Sequence, residues 1–428
     1  MTQRWIVVAL GVVLGLTAAG AQSQYEAPAV LRAADVVPAE LLQSSVYTID
    51  ERVPTDGLVA TRTFHSPLGE FLAEGPGMTA VRAAEIQALD VLTKTESSEI
   101  FQKALAASMK RTGQSLKKVV TNPVETLQGV PAGVGRFFDR VTRDVKTGMQ
   151  KVEDTKGTEG GQSGSSTSEE VKEGATMAGQ SVIGYDDARR RLSKYLGVDP
   201  YTRNKVLSDK LDSAAWAVWG GEFGPDTVIG FVPGGFALKF TRDWVSDLVW
   251  DMTPGDLRVR MDTHLKGLGV AQDPIDRFLR QKSFTHSIRL ALVDSLVALG
   301  PGLGRPDVID WALTATSETQ ARFMAGSTAI LAYHHQASPI TKIRVAGTVL
   351  GEIADGTVVV PAAVDYVSWT ERVANFANRP DLVGAKARYL RLAGKLSPRT
   401  RQELLARKWI VEEGVSIIPP PTPAAPRS

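Results

Sequence analysis

A chain of 428 residues exceeds what one ordinary core holds and calls for two or three domains. Its 43% hydrophobic and 22% charged residues fit a soluble globular protein and exclude a disordered or membrane-spanning one. A formal charge of +2 gives no reason to expect nucleic acid, and the lack of cysteine rules out disulfides, thiol catalysis and thiolate metal sites.

Residues 1–21 have the three parts of a cleavable export signal. Arg4 is the positive start, Trp5 to Leu16 the apolar run and Ala19-Gly20-Ala21 the small-residue cleavage site. The run is short for a membrane span, so cleavage after Ala21 is expected, with the mature chain in the periplasm or secreted.

Residues 22–42 are rich in Ala and Pro and read as a loose lead-in. Residues 43–151 read as a small α+β domain. Ser45 to Val53 is its first strand, Pro54-Thr55-Asp56-Gly57 a turn, and Leu58 to Ser66 a second strand. After Pro67-Leu68-Gly69, Glu70 to Glu74 completes a meander that needs a helix on its apolar face. The helix from Met78 to Thr95 offers Val81, Ala84, Ala88, Val91 and Leu92 on one side, and another follows from Ser97 to Thr112.

Asn122-Pro123-Val124-Glu125 is a capping box, and the helix it starts bends at the Gly/Pro run 129–135. Val134 to Lys151 then combines a basic stripe, Arg136, Arg140 and Arg143, with an apolar side that includes Phe137 and Phe138. A basic amphipathic helix beside a hinge suits an anionic membrane surface or an envelope protein as partner. It equally suits a helix packed on its own domain with the arginines in water.

Residues 152–182 are a flexible Gly/Ser/Glu linker. Residues 183–418 read as a larger, mainly helical domain with a β-hairpin, and 419–428 as a proline-rich tail. Its expected nucleus is Gly184 to Trp250: a helix, a turn at Asp199-Pro200-Tyr201-Thr202, a second helix from Asn204, and four tryptophans. Thr285 is the cap of HSIRLALVDSLVAL, and Pro306 to Gln336 a long helix with a weak point at Gly326-Ser327. Thr341 to Ile353 and Thr357 to Pro361 flank Asp355-Gly356, a strong hairpin signal. Ser368 begins a second capping box, and a helix from Pro398 and a strand from Trp409 close the fold. The fold class is therefore α+β and mostly helical.

The runs NPVETLQGVPAGVGRFFDRV and GYDDARRRLSKYLGVDPYTRNKVL resemble motifs of uncharacterised exported bacterial envelope proteins. That resemblance spans most of the mature chain. It implies an envelope location and carries no activity, ligand or catalytic residue with it.

Catalytic templates find no match. No G-x-S-x-G elbow, P-loop, Rossmann fingerprint or H-E-x-x-H motif occurs, so neither a cofactor nor a metal is expected. His334 and His335 are adjacent, which points them about 100° apart on a helix, poorly placed for one ion. The acid pairs Asp307/Asp310 and Asp243/Asp247 read as solvated helix faces. The functional expectation is an exported, non-enzymatic protein acting through protein or envelope contacts. Its alternative is a hydrolase of an envelope polymer, using Glu222 and Asp226 in the glycine-rich loop beside the tryptophans.

Overall fold

The computed structural model describes residues 24–111, 184–219 and 247–420. The expected export signal, the basic helix expected at 134–151, the expected linker and the expected glycine-rich loop at 220–235 lie outside the described residues. The class is the expected one, α+β, with a small N-terminal strand region and a larger helical region that ends in a sheet.

Residues 30–54 form β1 (Val30–Arg32), α1 (Ala33–Val36), α2 (Ala39–Leu42), β2 (Thr48–Ile49) and β3 (Arg52–Pro54). The lead-in is thus ordered rather than loose. β1 pairs antiparallel with β3, and Ala33, Val37 and Leu41, four residues apart, are buried. The meander itself is β2, β4 (Thr61–Ser66) and β5 (Gly69–Glu74), with Thr61 opposite Glu74 and Ser66 opposite Gly69. Phe64 and Ala73 point inward, and the Tyr47 ring meets Phe64 edge-on at 5.0 Å.

α3 (Met78–Glu96) covers that face and is followed by α4 (Glu99–Arg111). Its buried side is wider than a single stripe. Ile86, Leu89 and Glu85 are buried as well as Val81, Ala84, Ala88, Val91 and Leu92. One small sheet cannot cover so broad a face, and two helices from beyond the expected linker complete it. They are α5 (residues 184–196) and α6 (Lys205–Trp219), whose Leu192, Leu207, Leu211 and Ala215 share the core of α3. While Trp250 joins the core of the helical region, the 184–219 part of the expected nucleus therefore packs on the N-terminal unit. Polar contacts hold it there. The buried Glu85 carboxylate accepts from Thr202 Oγ1 and from Asn204 Nδ2 at 3.1 Å, and Lys210 reaches Glu96 at 2.6 Å.

The helical region continues through α7 (Asp247–Asp251), α8 (Pro254–Gly267), α9 (Gln272–Arg280), α10 (His286–Leu299), α11 (Arg305–Ala312) and α12 (Glu318–Ala337). Thr285 caps α10 as expected, its hydroxyl accepting from the Ile288 N–H at 3.3 Å. The long helix expected over 306–336 breaks at 313–317, where Thr314 Oγ1 donates to Trp311 O, Gln320 Oε1 accepts from the Thr316 N–H, and Ser317 caps α12. Gly326-Ser327 is not a weak point. A Cβ on Gly326 would lie 2.9 Å from Ala363 Cβ, so the missing side chain lets α12 approach the sheet closely.

That sheet has five strands in the order β12-β10-β8-β7-β6, comprising β6 (Ile340–Val345), β7 (Val349–Ile353), β8 (Val358–Ala362), β10 (Arg388–Leu392) and β12 (Trp409–Glu413). The expected hairpin across Asp355-Gly356 is β7–β8, with Gly356 at φ +88°. The expected strand 341–353 is itself folded, turning at Ala346-Gly347-Thr348 to pair β6 with β7. β8, β10 and β12 run parallel, joined by α13 (Glu371–Ala377) and α14 (Pro380–Val383), then by α15 (Pro398–Ala406). Thr370 and not Ser368 caps α13, its hydroxyl accepting from Val373 N–H at 3.4 Å. Leu331 of α12 joins Val349 and Val359 on one face, while Leu382 and Leu404 join Val360 and Leu390 on the other.

Beyond the carboxyl ends of β8 and β10, a short parallel pair, β9 (Tyr366–Val367) and β11 (Lys395–Leu396), meets the N-terminal unit. The Asp365 N–H donates to Leu58 O at 3.0 Å and the Ser368 N–H to Gly57 O at 3.0 Å. Glu26 reaches across as well, accepting from the Trp369 N–H and from Ser397 Oγ, each at 2.5 Å.

Candidate functional site

The buried ionisable groups fall into two kinds. Most join one segment to another. Arg62 bonds Asp365, Glu85 holds the 202–204 turn, and Asp212 takes both Tyr185 and Arg189, whose Nε donates to Pro200 O at 2.7 Å. Desolvation pushes the Tyr185 hydroxyl up to about 12 and raises the Asp365 carboxyl, against the opposing pull of Arg62.

Two arginines are different, because no carboxylate among the described residues pairs with them. Arg305, 1% exposed, donates to the carbonyls of Leu299, Gly300, Leu303 and Ile340. It thereby satisfies the C-terminal end of α10, where the helix dipole favours a cation. Arg289, 6% exposed, does the same beyond α9: its Nε donates to Phe278 O, and its Nη2 to Gln281 O and Phe284 O. Burial, and then Arg258, lowers the Arg289 guanidinium to about 10, which leaves it charged at neutral pH.

Arg289 also lines a cavity of about 260 Å³, together with Tyr201, Arg203, Lys282, Phe284, Thr285 and His286. Two segments build it. The Asp199–Thr202 turn, closed by the Tyr201 N–H on Asp199 Oδ1 at 2.8 Å, presents Tyr201 and Arg203. The other is the loop into α10, where the Thr285 cap fixes the backbone. Arg203 and Lys282 are exposed and have no carboxylate partner among the described residues. The His286 ring lies edge-on to Tyr201 at 4.7 Å, with its Nδ1 buried and unbonded among the described residues. Burial first, then Arg289, pushes His286 down to about 4, so the imidazole is neutral at pH 7.

A second cavity, about 340 Å³, lies at the β7–β8 turn against α14. Its charges cancel. Arg344 bonds both Glu352 and Asp381, the latter at 2.9 Å, and Asp381 also pairs with Arg379. The two cavities differ in that one is internally neutralised and the other has an excess of cations.

Arg136, Phe137, Phe138, Arg140 and Arg143 lie outside the described residues, as do Glu222, Asp226 and Asp243. His334 and His335 do not converge: His335 Nδ1 accepts from Ile340 N–H at 2.9 Å, while His334 faces the Tyr389 ring at 5.8 Å. Among the described residues no group of three His, Asp or Glu side chains could hold a metal ion, and no helix is long and apolar enough to cross a membrane. Trp250, Trp311 and Trp369 are core residues, and Trp250 Nε1 donates to Val198 O at 2.9 Å. Sequence reading missed the cation-lined cavity because its two halves are eighty residues apart. The legible signals were local: the turn at Asp199 and the cap at Thr285.

No protein-family model matches this chain, and neither a curated protein nor a solved structure does.

Proposed function

We propose that this chain is an exported, periplasmic or secreted protein that acts through contacts with the cell envelope rather than by catalysis. The residues supporting export are Arg4, the apolar run to Leu16 and the Ala19-Gly20-Ala21 cleavage site. The observation that carries the contact reading is a division of labour among charged groups. The buried ones are engaged in internal cross-links, while Arg203 and Lys282 stand together, exposed, at an open cavity. An anionic membrane surface or an acidic envelope protein supplies the complementary charge. The basic stripe Arg136, Arg140 and Arg143 adds to the same attraction at about 1 kcal/mol per charge near an anionic surface. With Phe137 and Phe138 inserted, attachment is reversible and sensitive to salt.

Cell fractionation and vesicle flotation test this reading. A mature chain beginning at Gln22 is expected in the periplasm or medium. It should float with anionic vesicles at low salt, and lose flotation in raised salt or on reversing Arg136, Arg140 and Arg143 to Glu. A wild-type chain that stays down at low salt removes the membrane as partner. Turnover of an esterase, peptidase or glycosidase substrate, abolished by Glu222→Gln or Asp226→Asn, would replace the whole reading with the hydrolase.

A further inference from the structure

We propose that the cavity between Tyr201–Arg203 and Lys282–Arg289 is a binding site for a phosphate-type oxyanion, held by Arg203, Lys282 and Arg289. This deepens the contact reading by naming the chemistry that the cavity takes.

Three observations point the same way. First, the lining carries three cationic side chains and no described carboxylate. Two acids beside Tyr201 are engaged elsewhere: Asp199 takes the Tyr201 N–H at 2.8 Å, and Asp186, 3.4 Å from the Tyr201 hydroxyl, pairs with Arg190.

Second, Arg289 is a nine-tenths buried cation with a donor to spare. Its three hydrogen bonds use Nε and Nη2, and Nη1 donates to no described protein atom. Arg305 is the internal control. Equally without a carboxylate, it uses Nε, Nη1 and Nη2 on carbonyls, and it lines neither cavity described above. A bound oxyanion would give Arg289 the acceptor and the counter-charge that Arg305 does without.

Third, the donors differ in a way that suits phosphate. Arginine offers a planar fork and lysine a mobile point charge, the pair of cations that phosphate oxygens commonly take. A single carboxylate leaves most of three charges unmatched, whereas a phosphate monoester carries close to two negative charges near neutral pH. Tyr201 and Phe284 supply apolar wall for whatever bears the phosphate.

The same chemistry has two sources, a soluble phosphate compound or a phospholipid headgroup. Calorimetric titration of the mature chain with inorganic phosphate, then with glycerol 3-phosphate, is the first arm. Binding is expected, weakened about tenfold or more by Arg203→Glu with Lys282→Glu, with unchanged thermal unfolding because both residues are exposed. Arg289→Lys should weaken it too, and Arg305→Lys should not. Flotation on phosphatidic acid, a phosphate monoester lipid, against phosphatidylcholine vesicles is the second arm. Flotation competed away by phosphate assigns the headgroup, and phosphate binding without flotation assigns the soluble compound. No heat from either phosphate, or equal heat from wild type and the double variant, overturns the site. That result leaves export, and contact through the 136–143 stripe, untouched.

Discussion

The Arg62 guanidinium leaves the N-terminal meander and meets the Asp365 carboxylate at 2.8 Å, with both side chains about 5% exposed or less. Backbone groups surround this pair. Asp365 Oδ2 accepts from the Ala60 N–H at 2.9 Å, while Arg62 also donates to Ala60 O and Val36 O. One ion pair thus holds the lead-in, the meander and the end of β8.

Removing one partner leaves a buried charge alone. Asp365→Ala and Arg62→Met should each cost about 3–5 kcal/mol, while the double variant should cost clearly less than their sum. Urea unfolding of the four proteins measures this. Additive losses would mean that the two residues do not act as a pair.

Three glycines separate steric from conformational requirements. Gly347 has φ +78° with open space around its missing Cβ. A Cβ on Gly394 would lie 1.8 Å from Asp365 O, without positive φ. Gly304 has both problems, φ +78° and a Cβ 1.9 Å from Ile343 O. Alanine at Gly347 should cost about 1–2 kcal/mol. Alanine at Gly394 or Gly304 should cost more than about 3 kcal/mol, since backbone and not a side-chain tip must move. Thermal unfolding of the three variants gives the order, and an equal loss at all three would refute it.

Arg305 should resist its conservative replacement. Arg305→Lys presents one ammonium where four carbonyls meet a planar fork, and is expected to lose about 2–4 kcal/mol, nearly as much as Arg305→Met. If lysine restores wild-type stability, charge at the end of α10 matters and geometry does not.

Much of this architecture could be read locally. The Asp355-Gly356 hairpin, the Thr285 cap and the helix from Met78 are set by residues a few positions apart. What escaped the sequence was long-range. Leu192 and Leu211 cover α3 across a long stretch of chain, and nothing in either helix names its partner. Arg388–Leu392 alternates as a strand should, but its place between two parallel neighbours comes from β8 and β12. The cavity is legible to the same degree. Asp199 and Thr285 announce a turn and a cap, while the uncompensated charge exists only because folding sets Arg203 beside Lys282. Most segments pair acid with base, which hides an excess that only three dimensions collect.

His286 ties the acid stability of the fold to the cavity it lines. In the fold its imidazole is held down to about 4, first by burial and then by Arg289, with Arg203, Lys282 and Tyr201 also around it and Asp199 behind. In the unfolded chain it titrates near the ordinary value of about 6.5. Between these two values the unfolded chain binds a proton that the fold refuses, so stability must fall as pH drops from about 6.5 to 4. Above 6.5 the contribution is complete, and by pH 4 most of it, on the order of 3 kcal/mol, is gone. Buried Asp199 and Asp365 and half-buried Asp186 and Asp294 act with the opposite sign, because desolvation raises each of them and the fold takes up their protons first. The total pH profile therefore mixes both effects, and the difference between wild type and His286→Gln isolates one. Urea unfolding at pH 7, 5.5 and 4 should show the variant gaining on wild type at each step down. Saturating phosphate should shrink that gain, because an anion in the cavity lets the folded imidazole take its proton earlier. A difference that stays flat across the three pH values would show that His286 titrates alike in both states, and its neutral burial would have no part in acid stability.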